Sequence, residues 1–215
     1  MRPHLSVLTT LLLVGAACWT HAPAQDAEPT TGYASPKAVF EAATKASKKK
    51  DFKAFAACLT PESQGKLAGQ LAGLSVMFKA FSALDKEGKM KDKIADLDKI
   101  MDKHGLTKEA MAKLKPTKDP KEIEKNNKAI ETIVKDKPAF VGDVMKWLDS
   151  ANPGKSKGGP LDEATLKDLK VTGDKATGTV LTKTGDKEKE EPMEFAKVGG
   201  GWRIVLPEPK PKDKK

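Results

Sequence analysis

The chain predicts an α+β domain, with N-terminal and central helices packed on a C-terminal antiparallel sheet of about four strands. Three observations carry this. From Ser35 to Ser150 apolar residues recur every three or four positions, punctuated by helix caps. Ala151 to Pro160 (ANPGKSKGGP) then breaks the pattern as a loop. Beyond it, short segments rich in Val, Thr and aromatic or aliphatic residues alternate with glycine turns.

Residues 1–24 read as a secretory signal peptide. Arg2 supplies a positive start, Leu5 to Trp19 is almost wholly apolar, and Ala22-Pro23-Ala24 offers small residues for cleavage before Gln25. The apolar run is shorter than the roughly 18 to 20 residues that a membrane-spanning helix needs. The exported chain is therefore expected in the periplasm or the medium. A second reading concerns Cys18. Leu13-Val14-Gly15-Ala16-Ala17-Cys18 loosely resembles a bacterial lipoprotein box, with Gly15 where a large aliphatic residue is usual. Lipidation there is the one route to a membrane that the sequence suggests. Residues 25–34 are a polar linker, and 35–207 form the domain.

Within the domain, Ser35-Pro36 is a cap followed by a first-turn proline, and Val39, Phe40, Ala43 and Ala46 make the stripe behind it. Asp51 caps a short helix carrying Phe52, Phe55, Ala56 and Leu59. Thr60-Pro61 repeats the signal before a long helix marked by Leu67, Leu71, Leu74, Phe78 and Phe81. Gly65, Gly69 and Gly73 recur along it every fourth residue, which predicts either a close backbone contact or an irregular helix.

Residues 85–150 read as a helical insertion. Met90, Ile94, Leu97 and Met101 line one helix, which Gly105 stops; Thr107 caps the next, with Leu106 and Met111 at staple spacing. Asp119-Pro120-Lys121-Glu122 opens another, and Pro138 starts a short one carrying Phe140, Val141, Val144, Trp147 and Leu148. Strands are expected at 167–172, 175–183, 190–198 and 201–206, with turns at Gly173-Asp174, Gly185-Asp186 and Gly199-Gly200-Gly201. Residues 208–215 (EPKPKDKK) suit a disordered basic tail.

Net charge is +9, yet only Arg2 and Arg203 are arginines, and the lysines alternate with Asp and Glu. No aromatics interleave with them. This is a solvated surface and not a nucleic-acid site, which would use Arg and stacking rings. Cleavage removes His4 and His21, leaving His104, which sits where a cation suits a helix C-terminus. No His or Cys pair stands at zinc spacing. Cys58 lies in an apolar run and reads as a small buried hydrophobe. Asp92, Asp96, Asp98 and Asp102 share one helix, which cannot make a calcium loop.

Two stretches resemble a known family. SPKAVFEAATKASKKKDFKAFAACLTPES is similar to the opening of small exported bacterial proteins of the nuclear-transport-factor-2-like superfamily, with its D-F-x-x-F helix and T-P-E helix start. LKVTGDKATGTVLTKTGDKEKEEPMEFAKVGGGWRIVLP is similar to the closing meander, with V-x-G-D-x-A and G-G-x-W-R-I. The resemblance implies a cone-like arrangement, a curved sheet wrapped by helices around a cone-shaped pocket, and in some members isomerase or cyclase activity. The long insertion and the low strand number depart from that pattern.

The expected function is thus a non-catalytic, exported domain that binds a small ligand or a protein, without a cofactor or metal. Phe52, Phe55, Phe78, Phe81, Phe195 and Trp202 are candidate pocket walls, with a core role as the simpler reading. Alternatives are a surface-associated structural protein using its lysines on anionic polymer or lipid, and an isomerase- or cyclase-like enzyme in the same fold. The acid–hydroxyl pair of such enzymes is not visible, since the only tyrosine is Tyr33 in the linker.

Overall fold

A computed structural model describes residues 32–82, 88, 90–114, 119–151, 159–184 and 187–207. The expected signal peptide with its Ala24/Gln25 cleavage point, Cys18, most of the expected linker, most of the expected loop at 151–160, the expected Gly185-Asp186 turn and the expected basic tail lie outside the described residues. Among the described residues, seven helices precede a four-stranded antiparallel sheet, an α+β architecture.

The helices begin where the caps predict. Ser35 accepts a hydrogen bond from Ala38 N and opens α1 (Pro36–Lys48). Asp51 does the same for Ala54 N and opens α2 (Phe52–Ala57). Thr60 Oγ1 accepts from Ser63 N, 3.2 Å away, at the start of α3 (Pro61–Ser82). Helix α4 (Lys91–Lys103) ends at His104 with Gly105 at φ 83°, a conformation glycine adopts without strain. Thr107 caps α5 (Lys108–Ala112), and Asp119 caps α6 (Pro120–Ile133).

Helix α7 (Lys137–Ala151) is longer than the short helix expected, because Pro138 does not start it. Asp136 Oδ1 accepts from Ala139 N, so the helix begins one residue earlier and Pro138 falls in the first turn. Helix α3 buries a wider arc than its leucines suggest: Ala68, Leu71, Ala72 and Ser75 are buried, while Val76 and Met77 are exposed. It is a continuous helix, and two of its glycines mark close contact: Gly65 and Gly69 face Glu131 and Asn127 of α6, whereas no described residue approaches Gly73 within 4 Å.

Strands β1 (Thr165–Thr172), β2 (Lys175–Thr184), β3 (Lys187–Val198) and β4 (Gly201–Val205) pair in chain order. Positive φ at Gly173, Gly199 and Gly200 accommodates two of the hairpin turns. Ala176, Phe195 and Ile204 form one row across the inner face. The free edge of β4 is covered on both sides of Arg203. Trp202 N donates to Tyr33 O at 2.8 Å, Ile204 N donates to Cys58 O at 2.9 Å, and Thr60 N donates to Ile204 O at 2.9 Å. These short bridges satisfy backbone groups that an open edge would expose.

Two apolar cores result. The first joins α1 and α2 to the sheet through Val39, Phe40, Phe55, Leu59, Phe195, Trp202 and Ile204. The second lies among α3, α4, α6 and α7, around Leu71, Leu97, Met101, Phe140, Val144 and Trp147. Helix α2 spans both, since Phe55 belongs to the first and Ala56 to the second. Its close approach to α7 uses Gly142, where a Cβ would lie 2.9 Å from Lys53 Cβ.

Candidate functional site

Helices α4 and α7 each turn a stripe of side chains toward a shared open hollow of about 380 Å³. Helix α4 contributes Lys99, Ile100 and Lys103; helix α7 contributes Asp143, Lys146, Trp147 and Ser150. Both sets have the three- and four-residue spacing that aligns side chains on one helix face. Ile100 and Trp147 make the apolar floor, and the lysines stand around it.

The floor is held rigidly. Trp147 is buried, its Nε1–H donates to Lys93 O at 2.8 Å, and its ring meets Phe78 edge-on with centroids 5.4 Å apart. Lys93 Nζ donates to Ala151 O at 2.9 Å, placing a cation at the C-terminus of α7, where the helix dipole favours it.

One end of the hollow carries a charge cluster. Lys103 Nζ and His104 Nε2 both lie 2.8 Å from the same oxygen of Asp143, Oδ2. The His104 side chain is only 7% exposed and stacks edge-on against Phe140. Burial pushes the Asp143 carboxyl upward, but hydrogen bonds and charge from Lys103 and His104 outweigh it and hold the group below its ordinary value. With Asp143 ionised, His104 must carry a hydrogen at Nε2 to make this contact.

The other polar groups differ in how fully they are engaged. Ser150 Oγ donates to Trp147 O at 2.7 Å. Lys99 pairs with Asp96, with both side chains mostly in water, so the pair is weak. Lys146 is exposed and makes no ion pair among the described residues.

The residues singled out from the sequence fall elsewhere. Phe55, Phe195 and Trp202 come together in the sheet-side core, and Phe52 is buried at the start of α2. Phe78 packs in the second core, and the side chain of Phe81 lies outside the described residues. None of the other five lines the α4–α7 hollow. Cys58 is buried, with Sγ 3.4 Å from Tyr33 Oη and 3.3 Å from Ala54 O. Asp96 and Asp98 are drawn to different lysines, Lys99 and Lys79. Among the described residues no group of three or more His, Cys, Asp or Glu side chains is placed to hold a metal, and no helix is long and apolar enough to cross a membrane.

Sequence reasoning missed the hollow. Its signal was present in Asp143, Lys146, Trp147 and Ser150, which set polar residues around a tryptophan at helical spacing. That signal becomes meaningful only when α4 supplies the facing stripe. Comparison of the chain with models of protein families, with curated proteins and with solved structures finds no match.

Proposed function

We propose that this chain is an exported, non-catalytic binding domain that takes a small ligand in the hollow between α4 and α7. The observation that carries the reading is the engagement of the polar groups there. The Asp143 carboxylate is held by Lys103 and His104, and the Ser150 hydroxyl by a backbone carbonyl. Groups bonded in this way suit a fixed binding surface; a catalytic base or nucleophile must have its reactive atom available to a substrate. The volume falls within the range of small-molecule sites.

Membership of the nuclear-transport-factor-2-like superfamily is part of the same proposal. It rests on the two sequence stretches quoted above, and is supported by a helix pair lying against an antiparallel meander. The inner face of that sheet is filled by Phe55, Phe195, Trp202 and Ile204, which is why the binding role is assigned to the hollow.

Native mass spectrometry of protein purified from the culture medium or periplasm of its own host tests both parts. A mature chain beginning at Gln25 is expected, together with a stoichiometric small molecule that Trp147→Ala releases. A lipid-modified Cys18 at the new amino terminus overturns free export, and a ligand retained by Trp147→Ala removes the hollow as its site.

A further inference from the structure

The chemical character of the hollow goes further than the general binding role, on which the following inference rests. Its lining contains three ammonium groups, from Lys99, Lys103 and Lys146, against the single carboxylate of Asp143. That carboxylate is already engaged by Lys103 and His104. A cationic ligand would therefore meet uncompensated like charge, while an anion would meet Lys146, which makes no ion pair among the described residues. Lys99 adds a second cation, because its pair with Asp96 is solvent-exposed and easily exchanged. Beneath these groups lie Ile100 and the small exposed edge of the otherwise buried Trp147 ring, which offer apolar contact and no net charge.

We propose that the α4–α7 hollow binds a small amphiphilic anion, with its apolar body on Ile100 and Trp147 and its carboxylate or phosphate against Lys146. Lys146 is the charge-selecting residue, and Lys99 flanks the same head group. The floor is preorganised, since the hydrogen bond from Trp147 to Lys93 O and the ring contact with Phe78 hold the indole in place before any ligand arrives. The volume of the hollow suits a single short chain or ring.

Titrations of octanoate, octyl phosphate, octanol and inorganic phosphate into 15N-labelled protein test this, with the Trp147 indole and the Lys146 amide as reporters. Octanoate and octyl phosphate are expected to shift both signals. Octanol and inorganic phosphate should each bind at least about tenfold more weakly, because each lacks one half of the recognition. Lys146→Glu should weaken octanoate by about tenfold while leaving octanol unchanged, a comparison that also controls for folding. Affinity for the anions should fall between about 20 mM and about 150 mM salt, as charges become screened beyond about 8 Å. Octanol binding as tightly as octanoate at these reporters would overturn the inferred ligand class while leaving a binding role for the hollow intact. Inorganic phosphate matching octyl phosphate would remove the apolar floor from the recognition. No response to any of the four compounds would overturn the inference outright. A natural neutral ligand displaced by Trp147→Ala would then still uphold the general reading.

Discussion

Gly69 of α3 faces Asn127 of α6 so closely that a Cβ at Gly69 would lie 2.6 Å from Asn127 Oδ1 and 3.0 Å from its Cβ. Asn127 cannot clear that space by swinging its amide alone, because its Cβ is also in the way. Gly69→Ala should therefore destabilise the protein by about 1 kcal/mol net, overpacking outweighing the better helix propensity of alanine. Gly65→Ala should be nearly neutral, since the obstructing atoms are the carboxylate end of Glu131, which can move aside. Gly73→Ala, with nothing within 4 Å, should stabilise by about 1 kcal/mol. Urea melts of the three variants give the order, and a stabilised Gly69→Ala would disprove the close crossing.

Asp143 should make stability depend on acid. Its folded-state pKa lies below its ordinary value, near 3.8. The contribution is fully present above that value, shrinks as the unfolded carboxylate takes up protons, and is lost as pH falls through the folded pKa. Asp143→Asn should cost about 1 kcal/mol at neutral pH, a modest figure because the side chain is 34% exposed. The gap between wild type and variant should narrow as pH drops below 4. A gap of constant size across denaturant melts from about pH 6 to about pH 2 would show that the contacts of Lys103 and His104 add nothing.

Trp202 belongs to the core between α1, α2 and the sheet, and its backbone also joins Tyr33. Trp202→Ala should cost about 3 to 5 kcal/mol. A loss below about 1 kcal/mol in the same melts would place the indole outside the core.

Arg203 ties three elements together. Its guanidinium donates to Ala57 O at the end of α2 and lies 5.8 Å from the centre of the Tyr33 ring. Lysine keeps the charge but loses the planar fork. Arg203→Lys should lower stability by about 1 to 2 kcal/mol. Arg203→Lys melting with wild type would mean that the stem, and not the fork, holds the β4 edge.

How far the chain could be read in advance follows from the range of each interaction. Caps act within three residues, so Ser35, Asp51, Thr107 and Asp119 announced their helices directly. The turns at Gly173-Asp174 and Gly199-Gly200 were equally local, and β4 was placed to within a residue of its observed end. Asp136 was overlooked because the neighbouring proline offered a stronger signal. The division into two cores was not legible, because α2 presents Phe55 one way and Ala56 the other within a single short helix. The His104–Asp143 contact joins helices 39 positions apart, and no local pattern distinguishes that aspartate from those that face water. The hollow was invisible for the same reason: each helix carries only half of it.

The bridges from Tyr33 and Leu59 to β4 have a consequence for the order in which the molecule is completed. Synthesis delivers α1 and α2 early, yet the strand that secures them comes nearly last: the bond from Arg203 to Ala57 O closes a separation of 146 residues. Until Trp202 and Ile204 arrive, Val39, Phe55 and Leu59 have no sheet to cover them, however well their helices form. Contacts of such long range slow folding and prolong the exposure of apolar surface. The first helices of this domain are thus among its last parts to become native, and any chaperone that accompanies it has its longest task around α1 and α2.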